Sequence, residues 1–209
     1  IDEMGRTEHN FSLQKKPCLT QTQISQLYVA IFGRASEGEG NRFWQTWQAE
    51  GASKPNMAAT ATKMLDTQAA KAYFGTGLDT DQSFIEHIYL NTRNKTKTDD
   101  PSGIAYWVDE LNKGKTRGEV VSSLVDAIND YAPDGLYHNP SDLKTIAAYN
   151  QFINRVRVSD YMADILEKPP SNWPISTRFD ENGLDVTHDP ASVTSAMFIV
   201  DSFGSHSQV

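Results

Sequence analysis

The chain has 209 residues, with 19 Lys+Arg against 27 Asp+Glu, a net charge of −8 and a pI near 5.1. That balance excludes the basic footprint that neutralises phosphates or anionic headgroups, so nucleic acid is not an expected partner. The length suffices for one full domain or two small ones without staples, and the longest uncharged apolar run, Ile24 to Phe32, falls far short of the ~20 residues that cross a bilayer. No transmembrane segment and no signal-peptide core are expected, and the mature chain reads as soluble. A single cysteine, Cys18, excludes an internal disulfide, a thiolate zinc cage and an iron–sulfur cluster. Hydrophobic content of 38% and a mean hydropathy of −0.53 are low for this size, while 10% aromatics argue against disorder. A thin core, or one completed by neighbouring subunits, fits both.

Residues 1–19 show no sustained periodicity and read as an extended arm that orders on a partner, with Phe11, Leu13 and Cys18 as its contact residues. Cys18 itself is either an incidental thiol or a reactive or bridging one. The helical domain is expected over 20–209. Thr20 and Gln23 have capping-box spacing, and Ile24, Leu27, Tyr28, Ile31 and Phe32 follow at helical offsets up to Gly33, predicting a helix with one apolar face. Phe43, Trp44 and Trp47 predict a short aromatic helix ending at Gly51. A third helix is expected from about Pro55 to Tyr73 through Met57, Ala61, Met64 and Leu65.

The pattern then repeats. Ile24, Leu27, Tyr28 and Val29 correspond to Ile85, Ile88, Tyr89 and Leu90, 61 residues on. Gly40, Phe43, Trp44, Gly51, Met57 and Leu65 fall on Gly103, Tyr106, Trp107, Gly114, Val120 and Ile128, 63 residues on, which puts two extra residues in the loop Thr92 to Asp99. Conserved apolar type and glycine stops with a changed loop length are the mark of stacked helical units, here 20–75 and 80–132. The second unit is sharply punctuated: Asp100-Pro101 reads as N-cap and N1 proline, Gly114 as a stop, and Thr116 with Glu119 as a capping box.

A turn cluster, Tyr131 to Pro140, precedes a long helix expected over 141–168 from Leu143, Ile146, Ala147, Ile153, Val156 and Ile165, closed by Pro169-Pro170. The remainder, 169–209, holds an irregular stretch with a short strand pair around Ile175 to Phe179 and Leu184 to Thr187. A final helix follows, capped by Asp189-Pro190 and carrying Val193, Ala196, Met197 and Val200. The expected fold class is therefore all-α: two tandem three-helix units, a long helix and a C-terminal helix.

The words LYVAIFGRASEGEGNRFW (Leu27 to Trp44) and FIEHIYLNTRNKTKTDDPSGIAYWVDEL (Phe84 to Leu111) resemble the repeats of a bacterial family of unknown function that recurs in secreted RTX-type adhesins and surface-layer proteins, with words like LYxxxFGRxPDxxGLxYW. FINRVRVSDYMADIL (Phe152 to Leu166) and VTHDPASVTSAMFIVDS (Val186 to Ser202) are similar to its later segments, so the likeness runs from about Ile24 to Ser202. Ser36-Glu37 stands where Pro-Asp is usual, and the second copy has Asn91-Thr92-Arg93 in place of the FGR core. The resemblance implies a helical module on the outside of a Gram-negative cell, exported by a dedicated machine without a cleaved N-terminal signal, beside calcium-binding or surface-lattice regions in its relatives.

No Gly-rich phosphate loop, nucleophile elbow, H-E-x-x-H or paired-Cys motif is present. His87 beside Glu86 is either a partly buried helix histidine or a base, and Asp189 of His188-Asp189 is better placed as an N-cap. For calcium, Asp180, Asn182 and Asp185 set side-chain oxygens at alternate positions with Gly183 at the bend, an EF-loop-like fragment without the distal glutamate. Asp79-Thr80-Asp81 and Asp99-Asp100 are either ligands or helix N-caps, where a negative charge gains ~0.3–1 kcal/mol. The aromatic positions Phe43, Trp44, Tyr106 and Trp107 read as core by their spacing. Trp47, matched by Glu110 in the second unit, and Trp173, between Pro170 and Pro174, are the expected glycan or partner contacts. Asn10-Phe11-Ser12 and Asn94-Lys95-Thr96 match the glycosylation sequon.

These readings lead to a non-enzymatic, secreted structural protein of a bacterial cell surface. It would self-assemble into a layer or filament, or anchor one to surface polysaccharide, with no cofactor other than calcium. The alternatives are a monomeric glycan-binding adhesin module and an uncharacterised enzyme.

Overall fold

A computed structural model of the chain describes residues 18–165. Among these residues the protein is all-α, with eight α-helices and one 3₁₀ turn. The first unit comprises α1 (Gln21–Phe32), α2 (Gly38–Thr46), α3 (Met57–Leu65) and α4 (Gln68–Phe74), followed by the 3₁₀ turn Gly75–Leu78. The second comprises α5 (Asp81–Arg93), α6 (Pro101–Asn112) and α7 (Arg117–Asn129), and the long helix is α8 (Leu143–Ile165). The expected strand pair and the helix beginning near Asp189 lie outside the described residues.

The helix starts obey local chemistry. Thr20 accepts from the Gln23 N–H at 3.1 Å while the Gln23 side chain accepts from the Thr20 N–H at 2.9 Å, and Thr116 with Glu119 repeats the box before α7. Each such cap is worth about 1 kcal/mol. Gly33 closes α1 in the left-handed region at φ 62°, and Pro101 opens α6 behind the Asp100 cap.

α1 departs from the one-faced helix that its periodicity predicts. Every residue from Ile24 to Phe32 is buried, because α1 is the hub that touches α2, α3, α5, α7 and α8. A helix apolar nearly all round belongs in the centre of a bundle. The most extensive helix pair is α3 against α7. Gly118 permits it, since a Cβ there would collide with the Thr62 side chain and the Ala58 carbonyl.

Three expected boundaries move. The aromatic helix stops at Thr46 rather than Gly51, with Trp47 extended at φ −65°, ψ 137°. The third helix breaks at Asp66 and restarts as α4, because Thr67 donates to Met64 O at 2.7 Å and caps the Ala70 N–H at 3.0 Å. The arm ends one residue earlier than drawn: Leu19 is buried and its N–H donates to Gln45 O at 2.9 Å.

The duplication is real but its register drifts. Tyr28 and Tyr89 are equivalent at 61 residues, and Glu37 and Asp100, which begin α2 and α6, at 63. The third helices correspond at 60, not 63: the N-caps are Asn56 and Thr116, and the buried stripe Thr60, Ala61, Met64, Leu65 falls on Val120, Val121, Leu124, Val125. The pairing of Met57 with Val120 and Leu65 with Ile128 is thereby corrected. The cause is that α6 has 12 residues against 9 in α2, while its link to α7 (113–116) is shorter than the link 47–56.

Candidate functional site

The FGR corner forms where α1 ends. Gly33 turns the chain so that Arg34 folds back over α1, its guanidinium carbon 4.8 Å from the Tyr28 ring centre and 5.6 Å from that of Phe32. Arg34 donates to Glu37 at 3.0 Å and to Ala35 O at 2.8 Å, and both ion-pair side chains are largely buried. Tyr28 donates to the same carboxylate at 3.5 Å. Burial, and then the Glu37 charge, push the Tyr28 hydroxyl well above its ordinary value. Burial, the largest single influence, would lower Arg34, but Glu37 together with Tyr28 and Tyr73 more than offsets it and raises the guanidinium above its ordinary value.

The second copy keeps the plan without the glycine. Tyr89 donates to Asp100 at 2.6 Å, Asp100 caps the Gly103 N–H at 2.8 Å, and the Arg93 guanidinium sits 5.6 Å from the Tyr89 ring and 5.2 Å from that of Tyr131. The Tyr89 hydrogen bond is the main cause that lowers Asp100. Burial, and then the bond to Asp100, raise Tyr89. Asn94 replaces Gly33 in the left-handed cap at φ 52°. Here a tyrosine and an acid again join the first helix to the second, while the arginine ties the first helix to Tyr131 beyond the third.

Beneath the FGR corner lies a buried polar cluster. Ser159 Oγ of α8 stands 2.9 Å from Ser25 Oγ and 3.0 Å from Ser36 Oγ, and accepts from the Ser36 N–H at 2.9 Å. Asn41 donates to Ser36 Oγ at 2.9 Å and accepts from Gln45 at 2.9 Å. Such a network binds α8 to α1 and α2 in one register, since each group left without a partner in the interior would cost ~1–3 kcal/mol.

His87 is half-buried, as its place on a helix suggests. Its Nε2 lies 2.9 Å from Ile31 O, and its ring meets Phe74 edge-on with centroids 4.7 Å apart. Burial lowers its pKa, opposed by the Ile31 hydrogen bond. It caps the last turn of α1 beside Asn91, which donates to Ala30 O at 3.1 Å.

Of the residues singled out as site candidates, Trp47 is half-buried, with its ring edge-on to Trp44 and centroids 6.0 Å apart. It packs on the core more than it projects. Its counterpart Glu110 holds Lys113 at 3.2 Å and Lys115 at 2.8 Å instead. Trp44 and Trp107 are core, but Phe43 and Tyr106, expected there too, are exposed and stack edge-on against them. Cys18 is exposed and its thiol is free. Phe11, Leu13, Trp173 and the calcium candidates Asp180, Asn182 and Asp185 lie outside the described residues. Thr80 and Asp100 are helix caps, and Asp99 binds the Thr96 N–H at 2.8 Å. Among the described residues no group of three His, Cys, Asp or Glu side chains gathers to hold a metal, and no helix is long and apolar enough to cross a membrane.

The surface carries what residue-by-residue reading missed: Leu136, Tyr137 and Leu143 are exposed ahead of and at the start of α8, and Tyr161 and Ile165 at its end. An i, i+4 pair of apolar residues off the buried stripe of α8 was the available signal for the latter. An open depression of about 290 Å³ lies between α3 and α7, but its Arg117 is already tied to Asp81 at 2.8 Å and Leu78 O at 2.7 Å.

Comparison with curated proteins and with solved structures finds no match. Residues 61–129, from the middle of α3 to the end of α7, match the family model described as a domain of unknown function (DUF4214), which agrees with the resemblance to such a family that the repeated words carry.

Proposed function

We propose that the chain is a non-enzymatic, secreted structural protein of a bacterial cell surface that self-assembles into a layer or filament, or anchors one to surface polysaccharide. The observation that carries this reading is the placement of apolar surface relative to the N-terminal arm. Gln21 and Thr22 bond Asp160 and Asp164, so the start of α1, to which the arm is joined, lies beside the C-terminal end of α8. Leu136 (77% exposed) and Leu143 (73%) lie by the opposite end, ~33 Å away at 1.5 Å per helical residue. An arm at one pole and an apolar patch at the other are distinct surfaces, and a contact between distinct surfaces is head-to-tail, which propagates as a ring or filament.

The resemblance to surface-layer and RTX-type relatives supports the same reading. Among the described residues the FGR corner and most of the aromatic positions of the motif words serve packing, which supports a role for the outer faces. Calcium on Asp180, Asn182 and Asp185 would be a modulator of assembly.

Electron microscopy of the purified chain with and without calcium is the test. Ordered polymers are expected, and they are lost on deleting residues 1–18; Leu19 is retained because it belongs to the core. Discrete monomers in all conditions, together with binding to a surface sugar, would overturn the proposal in favour of a glycan-binding module.

A further inference from the structure

α8 has two apolar stripes, and the other described helices cover only one of them. Ala148, Phe152, Val156, Ser159 and Ala163 form the buried one, against α1 and α5. A second runs along the C-terminal half at i, i+3, i+4, i+7: Val158 and Met162 are half-buried, Tyr161 is 62% exposed and Ile165 53% exposed. At 100° per residue this stripe lies about 130° round the helix from the first. A helix on the surface of a bundle ordinarily presents polar residues there, and exposed contiguous apolar side chains mark a contact.

The chain continues for 44 residues beyond Ile165. That stretch contains a segment with the same i, i+3, i+4, i+7 apolar spacing, Val193, Ala196, Met197 and Val200, overlapped by Ala196, Ile199, Val200 and Phe203, behind the Asp189-Pro190 start signal. The 23 residues 166–188 between the two stripes reach ~75 Å when extended, so they bridge the stripes in either direction. A tether of this kind gives the segment an effective concentration of the order of millimolar at its target, which a second molecule does not ordinarily match.

We propose that the segment around Val193–Val200 docks as an amphipathic helix on the Val158–Tyr161–Met162–Ile165 stripe of its own chain, closing the bundle at the pole from which the N-terminal arm departs. The equal spacing lets the two stripes interdigitate over two turns, Tyr161 and Met162 opposite Ala196 and Met197. This docking is independent of self-assembly, which uses the arm and the opposite pole.

The sole cysteine makes the test clean. In full-length protein carrying Cys18→Ser, the pair Tyr161→Cys and Met197→Cys is oxidised mildly and resolved without reductant. The expected result is an intramolecular disulfide in most chains, formed to the same extent over a hundredfold range of protein concentration. The pair Leu143→Cys and Met197→Cys, with one thiol at the far end of α8, should bridge at least tenfold more slowly. Free thiols at 161 and 197, a bridge formed only between chains, or equal rates for the two pairs would each overturn the proposal. Both α8 positions are exposed, and an unchanged helical circular dichroism spectrum confirms that the variants are folded.

Discussion

The two units start from the same plan and end in different environments. In the first, Arg34 and Glu37 form a largely buried ion pair and α1 is packed against five other helices; in the second, Leu90 of α5 faces solvent and Arg93 rests between two tyrosine rings. The difference traces to α8, whose C-terminal half lies on α1 and α2 through Ser159, while its N-terminal half takes Ala148 and Phe152 into the core. Duplication supplied equivalent helices, and one added helix made them unequal. A motif that is a half-open cation–aromatic contact in one copy is a buried ion pair in the other.

The sharpest way to break this comparison is to remove each arginine. Arg34→Leu leaves Glu37 buried without its cation and should cost about 3–5 kcal/mol, whereas Arg93→Leu loses a partly exposed ring contact and should cost about 0.5–1 kcal/mol. Urea unfolding of the two variants measures both, and equal losses would mean that the units are energetically alike. A second variant sharpens the comparison with the opposite sign. Thr60 is fully buried and its hydroxyl has no partner, while its counterpart in the second unit is Val120. Thr60→Val should therefore stabilise the protein by about 1 kcal/mol, read as a raised thermal midpoint.

The smallest expected effect concerns pH. His87 stands where the first unit has Gln26, and burial lowers its pKa below the ordinary 6.5. The folded state then favours the neutral ring, so this contribution to stability is complete above pH 6.5. It declines as the pH falls through that value toward the lowered one, where only the unfolded chain takes up the proton. His87→Gln should flatten the stability profile over that window and leave it unchanged above; a slope that persists would assign the titration elsewhere.

Much of this architecture was legible in the residues. The capping boxes at Thr20 and Thr116, the Asp100-Pro101 start and the tyrosine and tryptophan repeats place five helices and the duplication, because caps and apolar periodicity act within a few residues. The ring of partners around α1 was not legible. Ser25, Ser36, Asn41 and Ser159 read as ordinary polar residues until the chain brings them together across as many as 134 positions. The drift to a 60-residue register was hidden for a related reason. Met57 and Leu65 match Val120 and Ile128 in type, and it takes the N-caps Asn56 and Thr116 and the full buried stripes to show the true register. As for site residues, Trp47 was singled out because it lacks an aromatic counterpart. The Arg34–Glu37 pair was passed over, because nothing local tells a buried ion pair from a solvated one.

The hub position of α1 has a consequence for how the protein is made. Ser36 N–H finds Ser159 Oγ 123 residues further along, an interval that a ribosome adding roughly 5–20 residues per second needs about 6–25 s to cover. For much of that time α1, the most thoroughly buried of the described helices, waits with the flank that α8 covers still bare. Nascent chains would spend it exposed to misassociation, and a holding chaperone would find its natural target there until the last long helix arrives.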